Sequence, residues 1–428
     1  MAATALPDEL RPPLGIGEAL VEADRCLACG EAHAPAPCLV ACPAGVDVPA
    51  FVEALAGGDA DGAARTILAA NILGASCARV CPAEVLCQGA CVLAEPIEIA
   101  RLQRHALDRA PAAPARLRPQ AEPSGFRVAV VGAGPAGMAC AGELALLGHA
   151  VTLYDERPEP GGLVRYAIAP YRIEREPLPV ELELLRGLGV ELRLAHRVDE
   201  PELRALVDGA DALFLGIGAG RDTDVRYRGD ELAGVWTSLD FIEALKTGVP
   251  PQVGRRVAVV GGGNTAIDVA REALRLGADD VTLVYRRSRR ELPAYPHEVE
   301  DAEAEGVHFQ WLAAPTRILG DAHVTGLECV LMALGEPDES GRRRPAPIEH
   351  SEFVLAADTV VKAIGQRGHE HVAGLRLAHG SLVVDGEGRT SDPKVFAGGD
   401  AVNGGASAVE AVRAGRDAAR AIDGWLRR

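Results

Sequence analysis

Two short apolar runs, at 127–131 and 256–260, repeat one pattern almost letter for letter, Arg-Val-Ala-Val-Val followed by Gly. An unbroken apolar stretch of this length suits a strand buried on both faces of a parallel sheet. Each run leads into glycines and then a helical period, the first ending near Gly148. Each is followed by a second apolar run, at 150–154 and 281–285. A further strand at 395–397 runs into Gly398-Gly399-Asp400, and a helix is predicted over 407–426. Before residue 110 the pattern changes to short helical segments around cysteines, with Asp24, Asp47 and Asp59 as candidate helix caps. Residues 110–114, with Pro119 and Pro123 beyond them, read as a semi-rigid linker.

The chain of 428 residues has room for two or three domains. Few aromatics and abundant alanine and glycine fit an α/β protein. The net charge of −17 argues against a nucleic-acid footprint. No uncharged apolar run is long enough to span a bilayer, and the first residues lack a basic-then-apolar leader, so the expected setting is the reducing cytoplasm.

The first glycine turn is Gly132-Ala133-Gly134-Pro135-Ala136-Gly137, and Asp155 closes the strand that follows its helix. Glycines there permit a tight turn, close approach of a pyrophosphate and tight helix packing. The helix N-terminus faces the phosphates, and the acid suits a ribose hydroxyl pair. Strand, turn, helix, second strand and acid together make a specific signal, and they point to FAD. The second turn is Gly261-Gly262-Gly263-Asn264-Thr265-Ala266, with alanine in place of the third glycine. Its second strand ends in Arg286-Arg287-Ser288-Arg289-Arg290, which in an acidic chain suits the extra phosphate of NADP. A solvated charged turn, or arginine stacking on the adenine of NAD, remains an alternative. Gly399 and Asp400 would bring one more backbone turn to the cofactor, although an ordinary strand-to-helix turn has the same composition.

Eight of the ten cysteines fall between residues 26 and 91. They run Cys26-x2-Cys29-x8-Cys38-x3-Cys42-Pro43 and Cys77-x3-Cys81-Pro82-x4-Cys87-x3-Cys91. A CxxC, a third cysteine and a Cys-Pro ending match a ferredoxin-type ligand run, in which the last thiolate reaches a second cluster. Zinc also uses CxxC pairs but fits the Cys-Pro endings poorly, and disulfides would need an oxidising compartment. Eight thiolates suffice for two clusters. Cys140 and Cys329 stand alone in helix and strand patterns and read as small buried hydrophobes.

Taken with Gly161-Gly162, these motifs resemble, over nearly the whole chain, the flavin and iron-sulfur module shared by the glutamate synthase small subunit and the N-terminal half of dihydropyrimidine dehydrogenase. The segments Tyr285–Ser288, Ala294–Glu298 and Gly399–Gly405 are most similar to the small subunit of bacterial dihydropyrimidine dehydrogenases. The resemblance implies FAD at Gly132, Gly134, Pro135, Ala136, Gly137, Asp155, Gly162, Gly399 and Asp400. It implies NAD(P)H at Gly261, Gly263, Asn264, Thr265, Arg286 and Arg287. Two [4Fe-4S] clusters would be held by Cys26, Cys29, Cys38 and Cys91, and by Cys42, Cys81 and Cys87 with Gln103. On the spacing alone Cys77 is the fourth ligand, so the two choices stand side by side.

The implied fold is α/β: an α-helical double-cluster domain over 1–125 precedes an FAD domain split between 126–249 and 362–428, with an NAD(P) domain inserted at 250–361. A nicotinamide yields two electrons together and a cluster takes one at a time; a flavin does both, so the expected path runs NAD(P)H, FAD, clusters, partner. No side chain is singled out as a catalytic acid, base or nucleophile. Nothing in the chain resembles an FMN-binding pyrimidine-reducing barrel or an amidotransferase, so substrate chemistry is expected on a separate catalytic subunit. Rival readings are a glutamate synthase small subunit, a disulfide reductase and a metal-bearing scaffold without turnover.

Overall fold

The computed structural model describes residues 9, 11–30, 34–110, 117–173, 177–220, 222–223, 225–338 and 341–428. The core of the expected linker, at 111–116, lies outside them. Two compact units are present: Glu9–Arg165 with Arg172–Gly220 and Gly368–Arg428, and Tyr166–Tyr171 with Arg221–Arg367.

The first unit opens with six helices: α1 (Ile16–Asp24), α2 (Pro37–Ala41), α3 (Val48–Ala56), α4 (Ala60–Ala70), α5 (Gly74–Val80) and α6 (Ile99–Arg109). Asp47 and Asp59 cap α3 and α4, accepting hydrogen bonds from the backbone N–H groups of Ala50 (3.1 Å) and Gly62 (2.7 Å). Asp24 does not cap a helix; it ends α1. Gly15 stands in extended backbone before that helix, and Glu18 reaches back to accept from the Gly15 N–H at 2.7 Å.

Beyond them the chain alternates: β1 (Arg127–Val131), α7 (Pro135–Leu146), β2 (Ala150–Tyr154), α8 (Leu163–Tyr166), α9 (Leu178–Gly187), β3 (Glu191–Arg193), α10 (Glu200–Gly209) and β4 (Ala212–Leu215). The second unit holds β5 (Val235–Thr237), α11 (Ser238–Lys246), β6 (Arg256–Gly261), α12 (Asn264–Arg275), β7 (Asp280–Tyr285), α13 (Pro296–Glu305), β8 (His308–Trp311), β9 (Ala313–Gly320), β10 (Val324–Pro337), β11 (Arg343–Ala356) and β12 (Thr359–Ala363). The chain then returns to the first unit with β13 (Leu377–Ala378), β14 (Ser381–Leu382), β15 (Val395–Ala397), α14 (Asp400–Asn403) and α15 (Ala408–Leu426).

The two echoing runs become the central strands of two five-stranded parallel sheets, ordered β15-β4-β1-β2-β3 and β5-β12-β6-β7-β8. Val128, Val130, Val257 and Val259 are buried there, each contributing roughly 1.5–3 kcal/mol by leaving water. In both sheets the strand order reverses beside the central strand, at β1/β4 and at β6/β12, where open α/β sheets bind ligands. The edge strand β5 lies upstream of residue 250, so the second sheet draws on residues before the expected start of the inserted domain. An antiparallel trio, β11-β10-β9, extends the second unit.

Candidate redox centres

The cysteines gather at two places. Cys26 follows the end of α1, Cys38 lies on α2, and with Cys29 and Cys91 they line one small cavity walled by Val48, Val52 and Ile97. The second group has Cys42 ending α2, Cys77 within α5, Cys81 ending α5 before Pro82, and Cys87. There the Cys77 and Cys81 thiols are hydrogen-bonded to each other, and this contact, burial and the nearness of Cys42 and Cys87 hold the Cys81 thiol well above its ordinary value. Gln103, buried on α6, donates from Nε2 to the Gly74 carbonyl at 2.7 Å, at the start of the helix that carries Cys77. The structure thus brings both candidates for the fourth position to α5.

Burial pushes the thiols up, Cys38 to about 11 and Cys87 to about 12. A metal must supply the positive charge that makes such buried thiols ionise. None of the ten cysteines is in a disulfide. Among the described residues no group of three or more His, Cys, Asp or Glu is set to hold a single metal ion. Four thiols around one apolar cavity fit a multi-iron cluster, whose irons each take one thiolate.

The flavin-type cradle is built from backbone. Gly132 has φ +101°, and a Cβ there would stand 2.3 Å from the Gly216 carbonyl oxygen. At Gly137 a Cβ would come within 1.7 Å of the Gly132 oxygen. Gly134 precedes Pro135, the first residue of α7, whose free N–H groups open the helix. Gly162, at φ +51°, passes so near Gly134 that a Cβ would lie 2.9 Å from its Cα. Gly399, at φ +68°, is equally close to Ala136. Asp155 accepts hydrogen bonds from Ala133 N–H (2.6 Å) and Arg157 N–H (2.8 Å). Asp400 starts α14 and accepts from Ala406 N–H at 3.2 Å. Burial raises both carboxyls and these backbone donors oppose it. Backbone turns too close for any Cβ, accompanied by the acids Asp155 and Asp400, fit an extended dinucleotide.

The second turn is tied differently. Gly263 leads into α12, and Asn264 Oδ1 accepts from the Tyr295 N–H at 2.9 Å, holding the 294–298 loop against the turn beside Thr265. A Cβ at Gly262 would meet the Tyr285 ring at 2.4 Å. The arginines after β7 divide. Arg287 is buried and committed to the protein, donating to the Arg343 carbonyl (2.7 Å) and to Asp338 (2.8 Å). Arg289 pairs with Glu303. Arg286 and Arg290 are exposed.

A family model described as pyridine nucleotide-disulphide oxidoreductase matches residues 126–415. The chain belongs to that family. A second model, described as dihydropyrimidine dehydrogenase domain II, 4Fe-4S cluster, matches residues 6–114. The glutamate synthase [NADPH] small chain of Escherichia coli is 35% identical, over 98% of this chain and 93% of its own length. The NADPH-Fe(3+) oxidoreductase subunit beta of Geobacter sulfurreducens is 39% identical over 91% of this chain, which spans 64% of that relative. The solved structure of Mycobacterium tuberculosis FprA in complex with NADPH has a TM-score of 0.57 at 21% identity, covering 71% of this chain and 84% of that one; it shares the fold.

One chain thus joins a segment matched by a 4Fe-4S model to a segment matched by the pyridine nucleotide-disulphide oxidoreductase model. Among the described residues no helix is long and apolar enough to cross a membrane.

Several residues of these sites were not picked out from the sequence. Gly216 approaches both Gly132 and Gly137; its Gly-Ile-Gly setting after β4 was a readable signal. Glu181 is fully buried on α9 and accepts from the Ser76 N–H (2.8 Å) and hydroxyl (2.5 Å), beside Cys77. Tyr171 has the guanidinium groups of Arg271 and Arg275 each 4.5 Å from its ring centroid and donates to Asp268 at 2.6 Å. These contacts join residues far apart in the chain and leave no local pattern.

Proposed function

We propose that this chain is an electron-input subunit: it takes hydride from NADPH and delivers single electrons through two [4Fe-4S] clusters to a separate catalytic subunit in the cytoplasm. The observation that carries this reading is the gathering of the cysteines into two groups on the same compact unit as the flavin-type cradle. FAD, when bound, supplies the conversion of a two-electron donor into one-electron output.

This chain's own residues bind and orient. Gly132, Gly134, Pro135, Ala136, Gly137 and Gly162 would let the pyrophosphate reach the α7 N-terminus. Asp155 would take the ribose hydroxyls, and Gly399 with Asp400 the ribitol side. Gly261, Gly263, Asn264 and Thr265 would seat the nicotinamide nucleotide. Arg286 would hold its extra phosphate, while Arg287 braces the loop from within the protein. Cys26, Cys29, Cys38 and Cys91 would ligate one cluster, and Cys42, Cys81 and Cys87 with Gln103 or Cys77 the other. The helical domain over 1–125, the FAD domain in two parts and the inserted NAD(P) domain supply these sites in turn.

Two partners are supported by separate observations. The resemblance at Gly399–Gly405 and the matched ferredoxin-type domain favour a pyrimidine-reducing FMN subunit. The near full-length match to the glutamate synthase small chain favours a glutamine-hydrolysing large subunit. The test is anaerobic turnover of the reconstituted chain with NADPH and NADH, using ferricyanide and then uracil as acceptors. NADPH-dependent ferricyanide reduction without uracil reduction is expected; uracil reduction by the pure chain would place the substrate site here and overturn the subunit reading.

A further inference from the structure

We propose that Arg416 is a positioning residue that fixes the Cys42 loop to the flavin-binding fold and so sets the reduction potential of the cluster that Cys42, Cys81 and Cys87 would hold. The inference rests on the electron-input reading above. Arg416 lies on α15, and its Nη1 donates to the carbonyl oxygens of Ala44 (2.5 Å) and Ala70 (3.0 Å). Ala44 is fully buried, two residues past Cys42. Ala70 is the last residue of α4, where the helix has no N–H of its own to offer. One guanidinium thus joins two segments that the sequence places more than three hundred residues away.

The helix bearing Arg416 cannot slide. A Cβ at Gly415 would stand 1.9 Å from the Ala136 carbonyl oxygen, so α15 lies directly on the first turn of α7, which opens the flavin cradle. The same α15 is therefore seated at Gly415 on the dinucleotide turn and at Arg416 on the cysteine loop. Within that loop the Gly45 N–H donates to the Cys42 carbonyl oxygen at 2.9 Å, and the Ala44 and Val46 N–H groups lie by the Cys42 sulfur. Ala44 thus presents its N–H toward the sulfur while its carbonyl is gripped by Arg416. Glu181 makes a second tie of this kind at Ser76, next to Cys77.

Hydrogen bonds to cluster sulfurs, and nearby positive charge, stabilise the more negative reduced cluster and raise its potential. Releasing the Ala44 carbonyl loosens those donors and removes the charge, so the potential falls. Lysine offers a charge without the planar fork that spans two carbonyls, so it restores part of the effect.

The experiment is an anaerobic redox titration of the full-length, cluster-loaded protein followed by electron paramagnetic resonance, comparing the native chain with Arg416→Gln and Arg416→Lys. One cluster's midpoint should move to lower potential in Arg416→Gln and by a smaller step in Arg416→Lys, while the other stays fixed and NADPH still bleaches the flavin. Unchanged midpoints for both clusters, or both moving together, would overturn the proposal. Should Arg416→Gln fail to retain iron, the Arg416→Lys midpoints decide alone. A native protein without iron and sulfide would instead defeat the electron-input reading itself.

Discussion

The turns after β1 and β6 follow strands of almost the same sequence, yet they are closed by opposite chemistry. In the first, Gly132 and Gly137 are pressed so tightly that a Cβ at Gly137 would overlap the Gly132 oxygen. The turn ends on Asp155, bonded to the Ala133 N–H. In the second, Ala266 replaces the third glycine, the ring of Tyr285 packs on Gly262, and the exposed cation Arg286 follows. One scaffold thus places an acid after one second strand and a cation after the other. The strand specifies the fold, and under the function proposed above the residues just past the second strand select the nucleotide.

Exchanging the small residues should break this comparison most severely. Gly137→Ala must displace backbone, costing about 3 kcal/mol or more, and flavin content should fall to near zero. Ala266→Gly should cost only about 1 kcal/mol and leave flavin content unchanged. Melting temperature and bound flavin per chain check both.

The two neighbouring arginines should separate cleanly. Arg287→Ala removes a buried guanidinium that joins the Arg343 carbonyl to Asp338 and should cost about 2–3 kcal/mol, with little change in KM for NADPH. Arg286→Ala should do the reverse, raising KM for NADPH roughly 10- to 100-fold through loss of a charged phosphate contact while leaving KM for NADH nearly constant. Steady-state kinetics with both donors, beside thermal unfolding, decides this.

A subtler difference is that only the first dinucleotide fold shares a compact unit with the cysteine helices, through Glu181. Burial pushes the Glu181 carboxyl up from an ordinary 4.5 to about 7, against the opposing hydrogen bonds from Ser76. A carboxyl raised on folding binds more proton in the folded state, so its contribution to stability is greatest at low pH. That contribution declines as pH rises from about 4.5 to about 7. Denaturant unfolding should therefore show up to about 3 kcal/mol of stability lost across that window. Glu181→Gln should flatten the profile; an unchanged profile would assign the dependence to other groups.

Much of this was legible because it is local. The strand at 150–154 and the helix ending at Leu426 stand where the pattern puts them, the helix starting one residue later than read because Ser407 caps it. The grouping of Cys26, Cys29, Cys38 and Cys91 followed from resemblance, and the structure places all four around one cavity. Asp24 misled because a cap and a helix-ending acid look alike in sequence. Arg287 read as a phosphate ligand because its partner, Asp338, arrives only with the β9–β11 excursion. Arg416 and Glu181 were invisible for the same reason: a long-range hydrogen bond leaves no periodicity.

The central claim is that one chain holds a flavin and two clusters and fills them from a nicotinamide nucleotide. The most direct measurement is iron, acid-labile sulfide and flavin per chain after anaerobic purification, followed by titration with NADPH. About eight irons, as two [4Fe-4S] clusters require, with one FAD and bleaching of both chromophores, is the predicted result. Zinc without sulfide, or a flavin that NADPH leaves oxidised, would contradict it.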